Sequence, residues 1–212
     1  MAVHKIFPTN IVIQDVALTE KQANDLFVAV QAIFLDNQIH NNGTNSWAEP
    51  LPVFTQDNLR IFPVLNDIRE VFIDGFYELA QAHENNNLSR ESVDKLFADN
   101  FGQLPIMKTG QSLPAHTHPG AVASAVFYLT DVDNEKDGGQ LILRDPSWHT
   151  TLGFRNNMEY EIGTKAGRLI VFPVHIWHEV RPYFGKEDRV TIVANLSYIN
   201  PESVEHINMK GD

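Results

Sequence analysis

The sequence predicts an α+β fold in which a helical first half leads into a strand-rich second half. Three observations carry that expectation. Residues 64–84 place Val64, Leu65, Ile68, Phe72, Phe76 and Leu79 on one face of a helical period. From Leu104 onward, apolar runs at 104–109, 121–130, 140–144, 167–172, 176–182 and 188–198 are separated by Gly, Pro and Asp, the texture of a sandwich or barrel of short strands. Helices grouped before the strands, rather than alternating with them, point to helices buttressing one sheet.

The elements follow in order. Residues 3–16, with Val3, Ile6, Phe7, Ile11, Val12, Ile13 and Val16 around a Pro-Thr-Asn break, read as one or two short strands. Thr19-Glu-Lys-Gln22 has the form of a capping box, flanked by Leu18 and Ala23 as a hydrophobic staple. Leu26, Phe27, Val30, Ile33 and Phe34 continue it as a helix, and 41–46 is a loop. The second helix, 64–84, contains Gly75, which costs about 1 kcal/mol against Ala in a helix interior. Ser89 to Phe97 reads as a short third helix. The stretch 147–165 is long and polar for a connection and suits a lid.

A chain of 212 residues can bury a substantial core as one domain. We expect one domain over 1–212, with 1–102 as helical support and 103–200 as the strand-rich core. The net charge is −11 and no Lys/Arg cluster exceeds a pair, so nucleic acid is not an expected partner. No apolar run approaches the roughly 20 residues that span a bilayer. The start, Met1 to Pro8, has no long apolar stretch, so a cytoplasmic location is expected. There is no cysteine, which excludes disulfides, thiolate metal sites and cysteine nucleophiles. Any metal must be held by His, Asp or Glu, which favours iron, manganese or catalytic zinc.

Four of the nine histidines fall in two tight groups, Pro114-Ala-His116-Thr-His118-Pro and Phe172-Pro-Val-His175-Ile-Trp-His178-Glu-Val180. In extended chain, residues i and i+2 project to the same side, so His116 and His118 can aim at one spot. A third ligand must come from elsewhere, and His178 is placed to supply it from a late strand. Such a set caps one end of a barrel and leaves the opposite coordination positions open, as a metal that takes co-substrate and dioxygen requires. His175, three residues from His178, faces the other way and reads as a packing or surface residue. Eleven residues after His178, Arg189 and Thr191 share a strand face. A guanidinium fork with a hydroxyl beside it can anchor a carboxylate, although an Arg of this kind alone is more often paired with a surface acid. Trp47, Trp148 and Trp177 are pocket candidates for which a core role is the stronger reading, and Trp177 should face away from the metal.

The ordered set Gly110-Gln-Ser-Leu-Pro-Ala-His116-Thr-His118-Pro, Ala125-Val-Phe-Tyr128-Leu, Gly138-Gly-Gln-Leu, Gly167-Arg-Leu-Ile-Val-Phe-Pro173, His178-Glu-Val and Arg189-Val-Thr191 resembles the 2-oxoglutarate/Fe(II)-dependent oxygenase superfamily, closest to its prolyl-hydroxylase-like branch and to oxygenase-like proteins of bacteria and phages. It covers residues 110–199. The resemblance implies a double-stranded β-helix (jelly-roll) core. It implies a dioxygenase that uses Fe(II), 2-oxoglutarate and O2, hydroxylates a C–H bond of a small-molecule or peptide substrate, and releases succinate and CO2. His116 and His178 match the family's two iron-binding histidines. Arg189 matches the residue that holds the distal carboxylate of 2-oxoglutarate, Thr191 its hydroxyl neighbour, and Tyr128 a co-substrate-binding tyrosine, with a core tyrosine as the alternative.

The sequence departs from the family at His118, where the usual pattern has Asp or Glu. Three arrangements are open. His118 is itself the third ligand, water fills the position, or a carboxylate such as Asp145 or Glu179 reaches in. We take the first as the working expectation. Two rival functions stand beside the main one: a three-histidine dioxygenase that needs no 2-oxoglutarate, and a non-catalytic jelly-roll binding module.

Overall fold

The structure, a computed structural model, describes residues 9–40, 51–82, 88–97, 102–145 and 158–197, with the side chains of 37–40 excepted. The elements run β1 (Val12–Asp15), α1 (Glu20–His40), α2 (Gln56–Ile61), α3 (Val64–Gln81), α4 (Arg90–Phe97), β2 (Ile106–Met107), β3 (Leu113–His116), β4 (Ala121–Tyr128), α5 (Asn134–Asp137), β5 (Leu141–Arg144), β6 (Glu159–Ile162), β7 (Arg168–Pro173), β8 (His178–Val180) and β9 (Arg189–Ser197).

The strands form two antiparallel sheets. One has five strands in the order β1-β7-β4-β9-β2, the other four in the order β3-β8-β5-β6. β1, from the helical half of the chain, adds an edge strand to the larger sheet by pairing with β7. Asp15 at its end is tied to Arg168 and Lys165.

Alternation along β4, β7 and β9 gives the larger sheet two buried faces. Ala123, Ala125, Phe127, Leu169, Val171, Ile192, Ala194 and Leu196 join a core completed by Leu26, Val30 and Ile33 of α1, the buried face of α3 and Val93 and Phe97 of α4. Phe72 sits at the middle of that core, its ring centroid 5.7 Å from Phe54, 6.2 Å from Phe97 and 6.4 Å from Phe127. The opposite face supplies Tyr128, Ile170 and Phe172, which pack on Leu141, Leu143, Ile162 and Val180 of the smaller sheet.

The capping box forms as read. The Gln22 amide donates to Thr19 Oγ1 at 3.2 Å, and the Thr19 amide donates to Gln22 Oε1 at 3.1 Å. The six apolar positions of α3 named from periodicity are all buried. Gly75 is explained by contact rather than propensity. A Cβ there would run into the Leu169 side chain and lie 2.9 Å from Val171 Cγ2, so the glycine lets α3 settle onto β7.

Four elements were not legible. β3 is short and holds Pro114. α2 has six residues and α5 four, both under two turns. β6, Glu-Tyr-Glu-Ile, lies in the stretch read as a lid; residues 159–162 are instead the edge strand of the smaller sheet, and only one of them is fully buried. Residues 147–157 of that lid reading, with Trp148, lie outside the described residues, as do residues 3–8 and Trp47. No helix among the described residues is long and apolar enough to cross a membrane.

Candidate metal centre

The three histidines converge. In the β3–β8 pair His116 and His178 stand directly opposite each other, and His118 follows two residues later, just past the end of β3. One ring nitrogen from each lies within 4.8 Å of the other two, a group able to hold a metal ion. Ring centroids are 4.2 Å apart for His116 and His178 and 5.0 Å for each of the pairs that include His118.

Backbone contacts set the rings. Nδ1 of His116 lies 2.8 Å from the Pro114 carbonyl and Nδ1 of His178 lies 3.0 Å from that of Ile176. A carbonyl only accepts, so each Nδ1 carries a proton, and in the neutral ring Nε2 is then the atom with a lone pair. The Nε2 atoms of His118 and His178 are 3.1 Å apart. Two imidazoles at right angles around a metal about 2.1 Å from each would have nitrogens about 3.0 Å apart, so the donor set fits a single ion. Nδ1 of His118 lies 3.4 Å from the Asn195 side-chain amide.

Electrostatics disfavour protonation of His178 and His118. Burial, then the nearby His116 and His118, lower the His178 ring to about 4, against a backbone hydrogen bond that raises it. Burial, then His116, lowers His118 as well. The Phe172 ring closes one side of His178 at 4.7 Å between centroids. The other candidate ligands are absent from this group. Glu179 faces the opposite side of β8, where Arg144 holds it at 2.9 Å and Arg181 at 2.7 Å. Asp145 does not belong to the group either. His175 and Trp177 are exposed, consistent with the strand parity.

On the face that the larger sheet turns toward the smaller one, Arg189 is 3% exposed, Thr191 2% and Tyr128 0%. Thr191 is the cross-strand partner of Tyr128, and the Arg189 guanidinium carbon lies 5.1 Å from the centroid of the Tyr128 ring. Among the described residues no carboxylate lies within ion-pairing distance of Arg189. Its one protein hydrogen bond found there runs from Nε to the Gly139 carbonyl at 3.1 Å. Burial lowers the guanidinium from its ordinary value and raises the Tyr128 hydroxyl. That hydroxyl is buried with no hydrogen-bond partner. A buried cation without a counter-ion beside an unpaired hydroxyl is costly unless an anionic ligand completes it. These residues therefore fit a carboxylate. Sequence reasoning did not find Asn195, and it named Gly139 only within the Gly138-Gly-Gln-Leu element and not as a partner of Arg189; an Asn inside a strand and a Gly-Gly pair carry no such signal by themselves.

Residues 104–195 match the family model described as "Putative 2OG-Fe(II) oxygenase". No curated protein matches the chain. Solved structures share its fold. A prolyl-4-hydroxylase from Pseudomonas putida is 17% identical, with 90% of this chain and 89% of that one covered and a TM-score of 0.54. A prolyl hydroxylase from Trichoplax adhaerens, solved with a hypoxia inducible factor peptide fragment, is 13% identical, with 92% and 87% covered and a TM-score of 0.59. A prolyl 4-hydroxylase from Phytophthora capsici is 16% identical, with 93% of this chain but 62% of that one covered and a TM-score of 0.59. The strand-rich half of the chain, which holds every candidate site residue, thus matches a 2OG-Fe(II) oxygenase family model, and the chain shares the fold of these prolyl hydroxylase structures.

Proposed function

We propose that the chain is one Fe(II)- and 2-oxoglutarate-dependent oxygenase domain with a double-stranded β-helix core, acting in the cytoplasm. In this reading His116, His118 and His178 hold the metal, and Arg189, Thr191 and Tyr128 hold the far carboxylate of 2-oxoglutarate. The observation that carries it is the presence, between the two sheets, of three convergent imidazoles and a buried arginine with no carboxylate partner among the described residues.

Bound iron supplies the oxygen chemistry, in which 2-oxoglutarate becomes succinate and CO2 and a C–H bond of the substrate is hydroxylated. The chain supplies position and environment. The Pro114 and Ile176 carbonyls hold the His116 and His178 rings in the tautomer that leaves Nε2 free. Arg189 offers its fork to a carboxylate, Thr191 and Tyr128 offer hydroxyls beside it, and Phe172 and the apolar face of the smaller sheet keep water out. The primary substrate is a peptide side chain or a small molecule; a peptide-bound structure among the fold relatives supports including the peptide class.

A second reading follows from His118 in the ligand group. A three-histidine dioxygenase would not need 2-oxoglutarate, and Arg189 would be dispensable for oxygen use. One experiment separates the two. Fe(II) and 2-oxoglutarate are added under argon while the visible spectrum is followed, and oxygen is then admitted with succinate assayed. The proposed function predicts a weak charge-transfer band that requires both additions, then succinate. Oxygen uptake with no dependence on 2-oxoglutarate would replace it with the second reading.

A further inference from the structure

The pair Gly138-Gly139 lies outside the metal centre, between α5 and β5, yet it meets Arg189. Gly139 has φ +77°, a conformation that favours glycine. A Cβ on it would lie 3.1 Å from Tyr183 Cδ2, 3.3 Å from Arg189 Cδ and 3.5 Å from Arg189 Nε. Its carbonyl accepts from Arg189 Nε at 3.1 Å and from the Thr164 hydroxyl at 3.3 Å.

The surroundings fix that carbonyl. The Gly139 amide donates to the Pro182 carbonyl at 3.2 Å. Asn134 Nδ2 donates to the Gly138 carbonyl at 2.6 Å, while Asn134 Oδ1 accepts from the Thr164 amide at 2.6 Å. Gly138 bridges to Tyr183. A Cβ on Gly138 would collide with the Pro182 carbonyl. The segment before β9 is thereby strapped to the glycine pair.

We propose that Gly139, held by Thr164, is a positioning residue for the carboxylate-binding arginine. Its bare Cα leaves room for the Arg189 stem. Its carbonyl takes Nε, and the Tyr128 ring lies against the guanidinium carbon. With Nε occupied, the two terminal amino groups are the donors left for a bidentate contact. The residue acts only through Arg189, so it governs recognition of the second carboxylate and not metal binding. The inference rests on the reading of Arg189 as the carboxylate anchor.

The test compares two probes on Fe(II)-loaded protein under argon by titration calorimetry: 2-oxoglutarate and 2-oxobutyrate, which has the same 2-oxo acid end but no second carboxylate. The ratio of their affinities reads the arginine contact alone. Arg189→Lys should cut the preference for 2-oxoglutarate about 10- to 100-fold, the loss expected for a hydrogen bond to a charged group. Gly139→Ala should cut it by at least about tenfold, with 2-oxobutyrate affinity and iron content unchanged. Thr164→Val should cut it about two- to tenfold, and Thr164→Ser should restore it. If Gly139→Ala does not fold, the two Thr164 variants decide. Equal weakening of both probes in the Gly139 or Thr164 variants overturns the inference as general damage. So does an unchanged ratio where Arg189→Lys loses it, with the arginine reading left standing. A ratio that Arg189→Lys does not alter removes the arginine reading and this inference together.

Discussion

The two faces of the five-stranded sheet are made by the same three strands and could hardly differ more. Toward the helices, β4, β7 and β9 present only Ala, Phe, Leu, Ile, Val and Pro, sealed by α1, α3 and α4. Toward the smaller sheet the alternate residues include Ser124, Tyr128, Arg189, Thr191 and Asn195, several as deeply buried as the apolar ones. The outer face gains free energy by removing apolar area from water, at about 25 cal/mol per Å2. The inner face carries buried polar groups that cost free energy when they lack a partner. The lesson is a division of labour at the spacing of one residue: one face holds the fold together, and the other buries polar groups at the fold's expense, which is where the proposed function places its chemistry.

The sharpest way to break this comparison is at the metal centre. His178→Ala should abolish stoichiometric Fe(II) binding, an effect beyond the roughly 10- to 100-fold cost of losing an outer partner of a ligand, while the circular dichroism spectrum stays native. His118→Ala should weaken binding strongly, and His118→Asp should restore it by recreating the usual carboxylate. Full iron content in both Ala variants would remove the histidine group, which lies across from the inner face on the smaller sheet, from any metal role.

The outer face should respond in the opposite sense. Phe72→Ala should destabilise the protein by about 3–5 kcal/mol in urea unfolding, because three ring contacts are lost and a cavity remains. The folded fraction should still take up one equivalent of iron. Altered metal stoichiometry in that variant would show that the faces are not separable.

The smallest of the three effects is acid sensitivity of the metal-free protein. The His178 ring is lowered from 6.5 to about 4 in the fold, so the unfolded chain takes up the proton first. Stability is therefore full above pH 6.5 and falls as pH drops toward 4, by on the order of 3 kcal/mol, with His118 acting in the same direction. Chemical unfolding at pH 7.5 and pH 4.5 reads the slope, which His178→Gln should flatten. An unaltered slope in that variant would assign the acid sensitivity to other groups.

The sequence made the outer face more legible than the inner. Periodicity located α3, and Thr19 with Gln22 located the start of α1, because both signals are local. The histidine group was legible because parity alone brings His116 and His118 together and the antiparallel register places His178 opposite His116. The edge strand β6 was hidden because a strand with one wet face and polar residues looks like a loop. Gly139 and Asn195 were hidden for another reason: each meets its partner across 50 and 77 residues of chain, and no pattern in a single sequence encodes such a meeting. The role of Gly75 was visible only in three dimensions, since in one dimension a glycine in a helix is simply a weak residue.

Gly75 also joins the two faces. A sheet is a single layer of backbone, and Leu169 and Val171, which fill the space above this glycine, alternate along β7 with Ile170 and Phe172, whose side chains point the other way. Phe172 in turn lies against the ring of His178. The seating depth of one helix turn is thus passed through the thickness of β7 to a wall of the metal centre, as a shim under a plate sets the height of what stands on it. Replacing Gly75 by Ala, a swap that strengthens an isolated helix by about 1 kcal/mol, would here raise the shim by one methyl group. The same methyl that favours the helix as a peptide disfavours it as a support, and its sign in the intact protein reports how closely scaffold and site are fitted.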